Sequence, residues 1–124
     1  MITGKNCIAG EFIAKGKVEF RTINPKLNME NPTIFVEATK EEIGGAVDMA
    51  WEAFKVFRKM SGTKRAEFLN TIADEILALD QELVDTYMLE SGLPEGRAVG
   101  ERGRTVFQLR TFAELVAKED WREN

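Results

Sequence analysis

The chain has 124 residues, 44% hydrophobic and 31% charged, with a net charge of −4; this is enough for one soluble domain with a real core, and the acidic balance argues against a nucleic-acid partner. There is no histidine, so Ser-His and Cys-His nucleophile pairs and the commonest metal ligand are excluded. A single cysteine, Cys7, permits no disulfide within the chain and fits a reducing, cytoplasmic setting.

Residues 5–23 read as a β-hairpin. Asn6 to Ala9 and Phe12-Ile13 are short strand candidates about a turn at Gly10-Glu11. Val18, Phe20 and Thr22 then alternate with Lys17, Glu19 and Arg21, the period of a half-buried strand. Asn24-Pro25 ends it, because proline lacks a donor and restricts the residue before it. Residues 24–33 read as a loop, followed by the β-rich run Ile34-Phe35-Val36. The first 12 residues hold no apolar run long enough for a signal peptide, and no segment reaches membrane-spanning length, so no membrane partner is expected.

Thr39-Lys40-Glu41-Glu42 fits a capping box and opens the first helix. Ile43, Val47, Ala50, Phe54 and Phe57 give it one apolar stripe, although Gly44-Gly45 weakens its first turn. Ser61-Gly62 breaks it and caps a second helix, whose face is Leu69, Ile72, Ala73, Ile76 and Leu79. Asp80 is the expected cap of a third helix carrying Leu83, Val84, Tyr87 and Met88. Gly92 suits a left-handed C-terminal cap, and Pro94 suits the first turn of a long helix to Ala117. The expected organisation is therefore a β-rich entry over residues 1–38 and four helices over residues 39–117.

The last helix has three faces. Ala98, Thr105, Leu109, Phe112, Ala113 and Val116 form an apolar arc, with Val106 at its edge. Gly96, Gly100, Gly103 and Phe107 lie on roughly the opposite side. Each helical glycine costs about 1 kcal/mol relative to alanine, so this helix reads as one covered on two sides. The glycines match no phosphate-loop or dinucleotide pattern and read as packing glycines. Between the faces run Arg97, Glu101, Arg104 and Gln108 at spacings of 4, 3 and 4. This seam is either a surface ladder of helix pairs, each worth a few tenths of a kcal/mol, or an edge that holds a ligand carboxylate by charge-assisted hydrogen bonds. Cys7 has no histidine beside it and reads as structural, and the carboxylates fall on solvated helix faces.

Ile23-Asn24-Pro25, Ala38-Thr39, Ala46-Val47, Ala53-Phe54, Arg65-Ala66, Ile72-Ala73-Asp74 and Gln108-Leu109-Arg110 fall in an order and spacing that resemble the N-terminal region of the aldehyde dehydrogenase superfamily. Glu90 to Val116 resembles the 2,5-dioxovalerate (α-ketoglutarate semialdehyde) dehydrogenases within it. The resemblance implies an α/β family fold, of which this chain is a mostly α piece: the hairpin and about four helices at the N-terminal part of a cofactor-binding domain. It implies oxidation of a semialdehyde acid, 2,5-dioxopentanoate to 2-oxoglutarate, or of a related aldehyde, with NADP or NAD as acceptor. It also implies a homo-oligomer when full length. The family's nucleophilic cysteine, general base and nucleotide-binding strands match nothing here, so residues 1–124 are expected to be inactive alone and to lack the catalytic and oligomerisation parts. By the same resemblance, the helix from Pro94 borders the substrate tunnel, with Arg104, Phe107 and Gln108 as candidates. A free-standing helical interaction module without catalytic activity is the alternative.

Overall fold

The computed structural model describes residues 2–118, and its chain divides into two compact units, Met1–Lys59 and Met60–Asn124. The first unit begins with two strands, β1 (Asn6–Ile8) and β2 (Glu11–Ile13), paired antiparallel with Ile8 opposite Glu11. The tight turn is therefore Ala9-Gly10, one residue before the expected position. Both residues have positive φ, 51° and 85°, the primed turn whose twist matches that of the flanking strands.

The segment 17–24 does not run as one strand. It divides into β3 (Glu19–Phe20) and β4 (Ile23–Asn24), which pair with different partners. β4 pairs with β5 (Met29–Glu30), so the expected loop at 24–33 contains a hairpin. Asn24 explains the change. Its buried side-chain oxygen accepts from the backbone N–H of Lys26 at 3.0 Å and of Leu27 at 3.2 Å. This turn within Pro25–Asn28 reverses the chain and lets Asn31 return, donating to the Thr22 carbonyl at 2.8 Å and hydroxyl at 3.0 Å. β3 pairs with β6 (Phe35–Val36), where the rings of Phe20 and Phe35 stack with centroids 5.5 Å apart. Gly4 closes this ribbon. Its φ is +67°, and a Cβ there would stand 1.9 Å from the Ile34 carbonyl oxygen.

Helix α1 (Lys40–Phe57) starts as the sequence requires. The Thr39 hydroxyl accepts from the Glu42 N–H at 3.1 Å, and the Glu42 carboxylate accepts from the Thr39 N–H at 2.8 Å. The other carboxylate oxygen accepts from the Lys15 N–H at 3.1 Å, joining the β-rich entry to the helix. Glu42 is the one buried residue of α1. Its expected apolar stripe is exposed instead: Ile43 by 54%, Val47 by 64% and Phe54 by 45%.

The second unit holds α2 (Gly62–Ala78), α3 (Asp80–Ser91) and α4 (Glu95–Lys118). Its core is small-residue packing: Ala66 and Ala73 of α2, Val84 of α3, and Ala98, Val106 and Ala113 of α4 are buried. Alanines allow two helix backbones to approach closely, which is why the larger Leu69, Ile72 and Ile76 reach only half-buried positions at the margins. The buried side of α4 is accordingly turned from the expected arc. Val106 is inside, while Thr105 and Phe112 are exposed. Asp80 does not cap α3 with its side chain. It sits at φ 41°, and the joint is held by its backbone carbonyl, which accepts from Arg102 Nη1 at 3.1 Å. Gly92 closes α3 at φ 70°, its N–H donating to the Met88 carbonyl at 2.9 Å. The Pro94 carbonyl then accepts from Arg97 and Ala98 at the start of α4.

Backbone N–H donors from Thr39 hold the Glu42 carboxyl below its ordinary 4.5, burial opposes them, and the Lys15 N–H adds to the lowering. A depressed carboxylate contributes stability above its unfolded value that is lost as the pH falls through its folded value. Urea midpoints of the chain measured from pH 7 to pH 3 are expected to fall below about pH 4.5, and Glu42→Gln is expected to flatten that acid limb. In the second unit, Ala73→Leu would place three extra carbons at a fully buried helix contact. A destabilisation of about 1–3 kcal/mol is expected by chemical denaturation.

Candidate functional site

The rotation of α4 decides which side chains it offers. The buried Ala98, Val106 and Ala113 fix its inner face. Two arginines fix it further. Arg110 Nη2 donates to Asp74 Oδ1 at 2.8 Å, with Nη1 at 3.5 Å from Asn70 Oδ1. Arg102, with its side chain only 18% exposed, donates to Asp80 as described. These contacts tie α4 to α2 and to the α2–α3 joint at positions eight residues apart. They leave the flank between them at a defined angle.

Arg104 and Gln108 stand on that flank, one turn apart. They line an open groove of about 510 Å³ with Leu69, Glu101, Thr105, Leu109 and Phe112. The two polar ends therefore face an otherwise largely aliphatic and aromatic wall. Neither Arg104 nor Gln108 makes a hydrogen bond or ion pair among the described residues. The ladder reading of the seam holds only for its first turn, where Arg97 Nη2 meets Glu101 Oε1 at 3.2 Å. Arg104 is a guanidinium with its full donor fork available beside an apolar groove, an arrangement suited to a planar carboxylate.

Phe107 is 69% exposed and lies outside the groove, on the glycine side of the helix. The structure thus brings together Arg104 and Gln108 but not Phe107. Gly96, Gly100 and Gly103 are exposed, and a Cβ on any of them would meet no atom within 4 Å. Of the two sides of α4 expected to be covered, only the inner one is. The glycines lie inside one continuous helix, whose N–H groups point along its axis. They do not form the strand-to-helix turn that cradles a pyrophosphate. Among the described residues no group of three His, Cys, Asp or Glu side chains is placed to hold a metal ion, and no helix is long and apolar enough to cross a membrane. A second hollow of about 280 Å³ adjoins the groove toward the N-terminal end of α4, sharing Glu101 and Thr105 with it and walled beyond them by Ile76, Leu83, Val84 and Tyr87.

Arg110 and Asp74 are site-building residues that charge pattern alone does not reveal. Their signal lies in the two motifs Ile72-Ala73-Asp74 and Gln108-Leu109-Arg110, which are facing halves of one helix contact. Ala73 is buried in that contact, and Asp74 and Arg110 pair at its rim.

The chain belongs to the aldehyde dehydrogenase family, whose family model matches residues 12–124. It is 39% identical over 116 residues to alpha-ketoglutaric semialdehyde dehydrogenase 2 of Azospirillum brasilense, covering 93% of this chain and 22% of that protein. It is 35% identical over 118 residues to the alpha-ketoglutaric semialdehyde dehydrogenase of Acinetobacter baylyi, again covering 22% of the relative. Among solved structures, betaine aldehyde dehydrogenase from Staphylococcus aureus, in complex with NAD+, superposes with a TM-score of 0.85 at 22% identity. That match covers 95% of this chain and 24% of the other. An NAD-dependent benzaldehyde dehydrogenase from Corynebacterium glutamicum gives the same TM-score at 17% identity, with 26% of its chain covered. The chain therefore has the aldehyde dehydrogenase fold over its own length, and spans about a quarter or less of these relatives.

Because Arg104 and Gln108 are exposed and unpaired, they contribute little to folding. Arg104→Met and Gln108→Ala are each expected to change the stability of the 124-residue chain by no more than about 0.5 kcal/mol in urea unfolding.

Proposed function

We propose that these residues are the N-terminal part of the cofactor-binding domain of an NAD(P)-dependent aldehyde dehydrogenase that oxidises a semialdehyde acid, 2,5-dioxopentanoate or a close analogue, to the dicarboxylate. In this reading residues 1–38 are the β-rich entry and 39–117 the helices. The nucleophile, the general base and the dinucleotide site come from sequence outside these 124 residues. The chain's own contribution is one edge of the substrate tunnel. The observation that carries the reading is the unpaired Arg104, one turn from Gln108, on the rim of an apolar groove. A substrate with an aldehyde at one end and a carboxylate at the other needs such an edge. The carboxylate is held by charge-assisted hydrogen bonds from Arg104 and a neutral one from the Gln108 amide, while the carbon chain lies along the groove.

The names of the Azospirillum and Acinetobacter relatives support this substrate class. Phe107 enters as an apolar wall only if sequence outside these residues faces the glycine side of α4. A full-length homo-oligomer and a cytoplasmic location complete the reading, the latter supported by the single, free Cys7. Either nicotinamide dinucleotide is compatible with it.

The test is Arg104→Met in a full-length enzyme carrying this segment. Losing a charged hydrogen-bond partner is worth about 1.5–3 kcal/mol, or about ten- to a hundredfold. That loss in kcat/KM is expected on the semialdehyde acid, with a plain aliphatic aldehyde of similar length nearly unaffected. An equal fall on both substrates would remove Arg104 from the tunnel.

A further inference from the structure

Glu101 stands between two arginines on the seam of α4. Arg97 lies one turn before it and Arg104 one turn after, at spacings of 4 and 3, so its carboxylate is within reach of either. The rules for isolated helices favour the later partner, because a glutamate placed before a basic residue pairs better than one placed after it. The structure shows the other choice. Arg97 Nη2 donates to Glu101 Oε1 at 3.2 Å, and Arg104 is left without a hydrogen bond or ion pair among the described residues.

That choice bears on the groove. Glu101 is half-buried, and it is the one carboxylate among the described residues that lines the groove with Arg104 and Gln108. Its neighbours leave the contest to the two arginines. The Thr105 hydroxyl is turned back onto the helix, donating to the Glu101 carbonyl at 3.0 Å, and Arg102 is spent on the Asp80 carbonyl. A Glu101 carboxylate seated on Arg104 would fill the donor fork that a substrate carboxylate needs, and binding is weakened by whatever fraction of the site is so occupied. Arg97 itself lies outside the groove, so it can act there only through Glu101.

We propose that Arg97 is a positioning residue: by holding Glu101 at the first turn of the seam, it keeps the Arg104 guanidinium free for the carboxylate of the substrate. The proposal rests on the reading of Arg104 as the carboxylate anchor. An exposed pair such as Arg97 with Glu101 adds little to folding, so its use lies in the partner it withholds. A pair of that strength changes the free fraction of Arg104 by about twofold to fivefold. This is smaller than the loss expected when Arg104 itself is removed, as befits a residue that acts at one remove.

Steady-state kinetics of a full-length enzyme carrying this segment test it through Arg97→Met, Glu101→Gln, the double variant and Arg97→Lys. Arg97→Met releases Glu101 onto Arg104. KM for the semialdehyde acid is expected to rise about twofold to fivefold with kcat little changed, and a plain aliphatic aldehyde is expected to be unaffected. Glu101→Gln removes the competing carboxylate, so KM stays where it was or falls, and adding Arg97→Met to it has no further effect. Arg97→Lys keeps the pair and the original KM. An Arg97→Met enzyme that matches its parent overturns the proposal. So does a rise in KM that persists in the Glu101→Gln background, because Arg97 would then act on the substrate or on the helix without Glu101. A second measurement needs no turnover. Nitrogen NMR of the arginine side chains in the 124-residue chain is expected to show rotation of the Arg104 guanidinium slowed by Arg97→Met and restored in the double variant. An Arg104 signal indifferent to Arg97→Met overturns the proposal by itself. The anchor reading fails separately: an Arg104→Met enzyme that loses both substrates equally removes the anchor and this proposal with it, whereas a selective loss beside a silent Arg97→Met removes this proposal alone.

Discussion

The contact of α2 with α4 through alanines is the constraint on which the second unit depends. Ala66 and Ala73 of α2 and Ala113 of α4 are buried, with side chains too small to keep the backbones apart. Dispersion between the two backbones and the removal of apolar area from water then act over two turns or more of each helix. The close approach leaves no freedom to rotate α4. Its rim is closed by Arg110 on Asp74, and the α2–α3 joint by Arg102 on the Asp80 carbonyl. Everything α4 presents outward follows from that fixed angle, including the placing of Arg104 and Gln108 on the groove and of Phe107 off it.

The first unit works by different means. Among its described residues the six strands are two or three residues long, and no ladder has more than two strands. Such ribbons are marginal by themselves. They are held by side-chain hydrogen bonds at three points: Asn24 in its turn, Asn31 on the Thr22 hydroxyl, and Glu42 at the head of α1. Asn24, Asn31 and Glu42 are the buried polar residues of the chain's described part, and each has its partners. Polar satisfaction replaces apolar burial as the organising principle there, which is consistent with a unit whose large apolar side chains face outward.

Functionally the two units share one property. Each leaves large apolar side chains exposed among its described residues. The glycine side of α4, the apolar stripe of α1 and the rings of Phe107 and Trp51 are exposed. The substrate edge proposed at Arg104 would have little selectivity while open to water, because screening and hydration weaken a charge-assisted hydrogen bond at an exposed site. The same guanidinium gains strength when surrounding polypeptide excludes water. Cover and specificity are therefore linked through dielectric.

The elements that rest on short-range chemistry were legible in the residues. The Thr39–Glu42 box, the Ser61 start of α2, the left-handed Gly92 and the period of all four helices are set by groups within about one turn of each other. So was the membership of the family, because ordered motifs survive without any knowledge of their contacts. What the residues did not disclose were choices made between distant groups. The pairing of Ile23 with Glu30 and of Thr22 with Asn31 within the expected loop, Val106 rather than Thr105 turning inward, and the Asp80 joint held by Arg102 each depend on a partner seven to twenty-odd residues away or on another helix. The candidate site divides the same way. The seam of Arg97, Glu101, Arg104 and Gln108 is a property of spacing and stands in the sequence alone. That Arg97 and Glu101 satisfy each other while Arg104 and Gln108 stay free over a groove was decided only by the tertiary packing of α4, because rotation about a helix axis is fixed by what the opposite face buries and not by the helix itself.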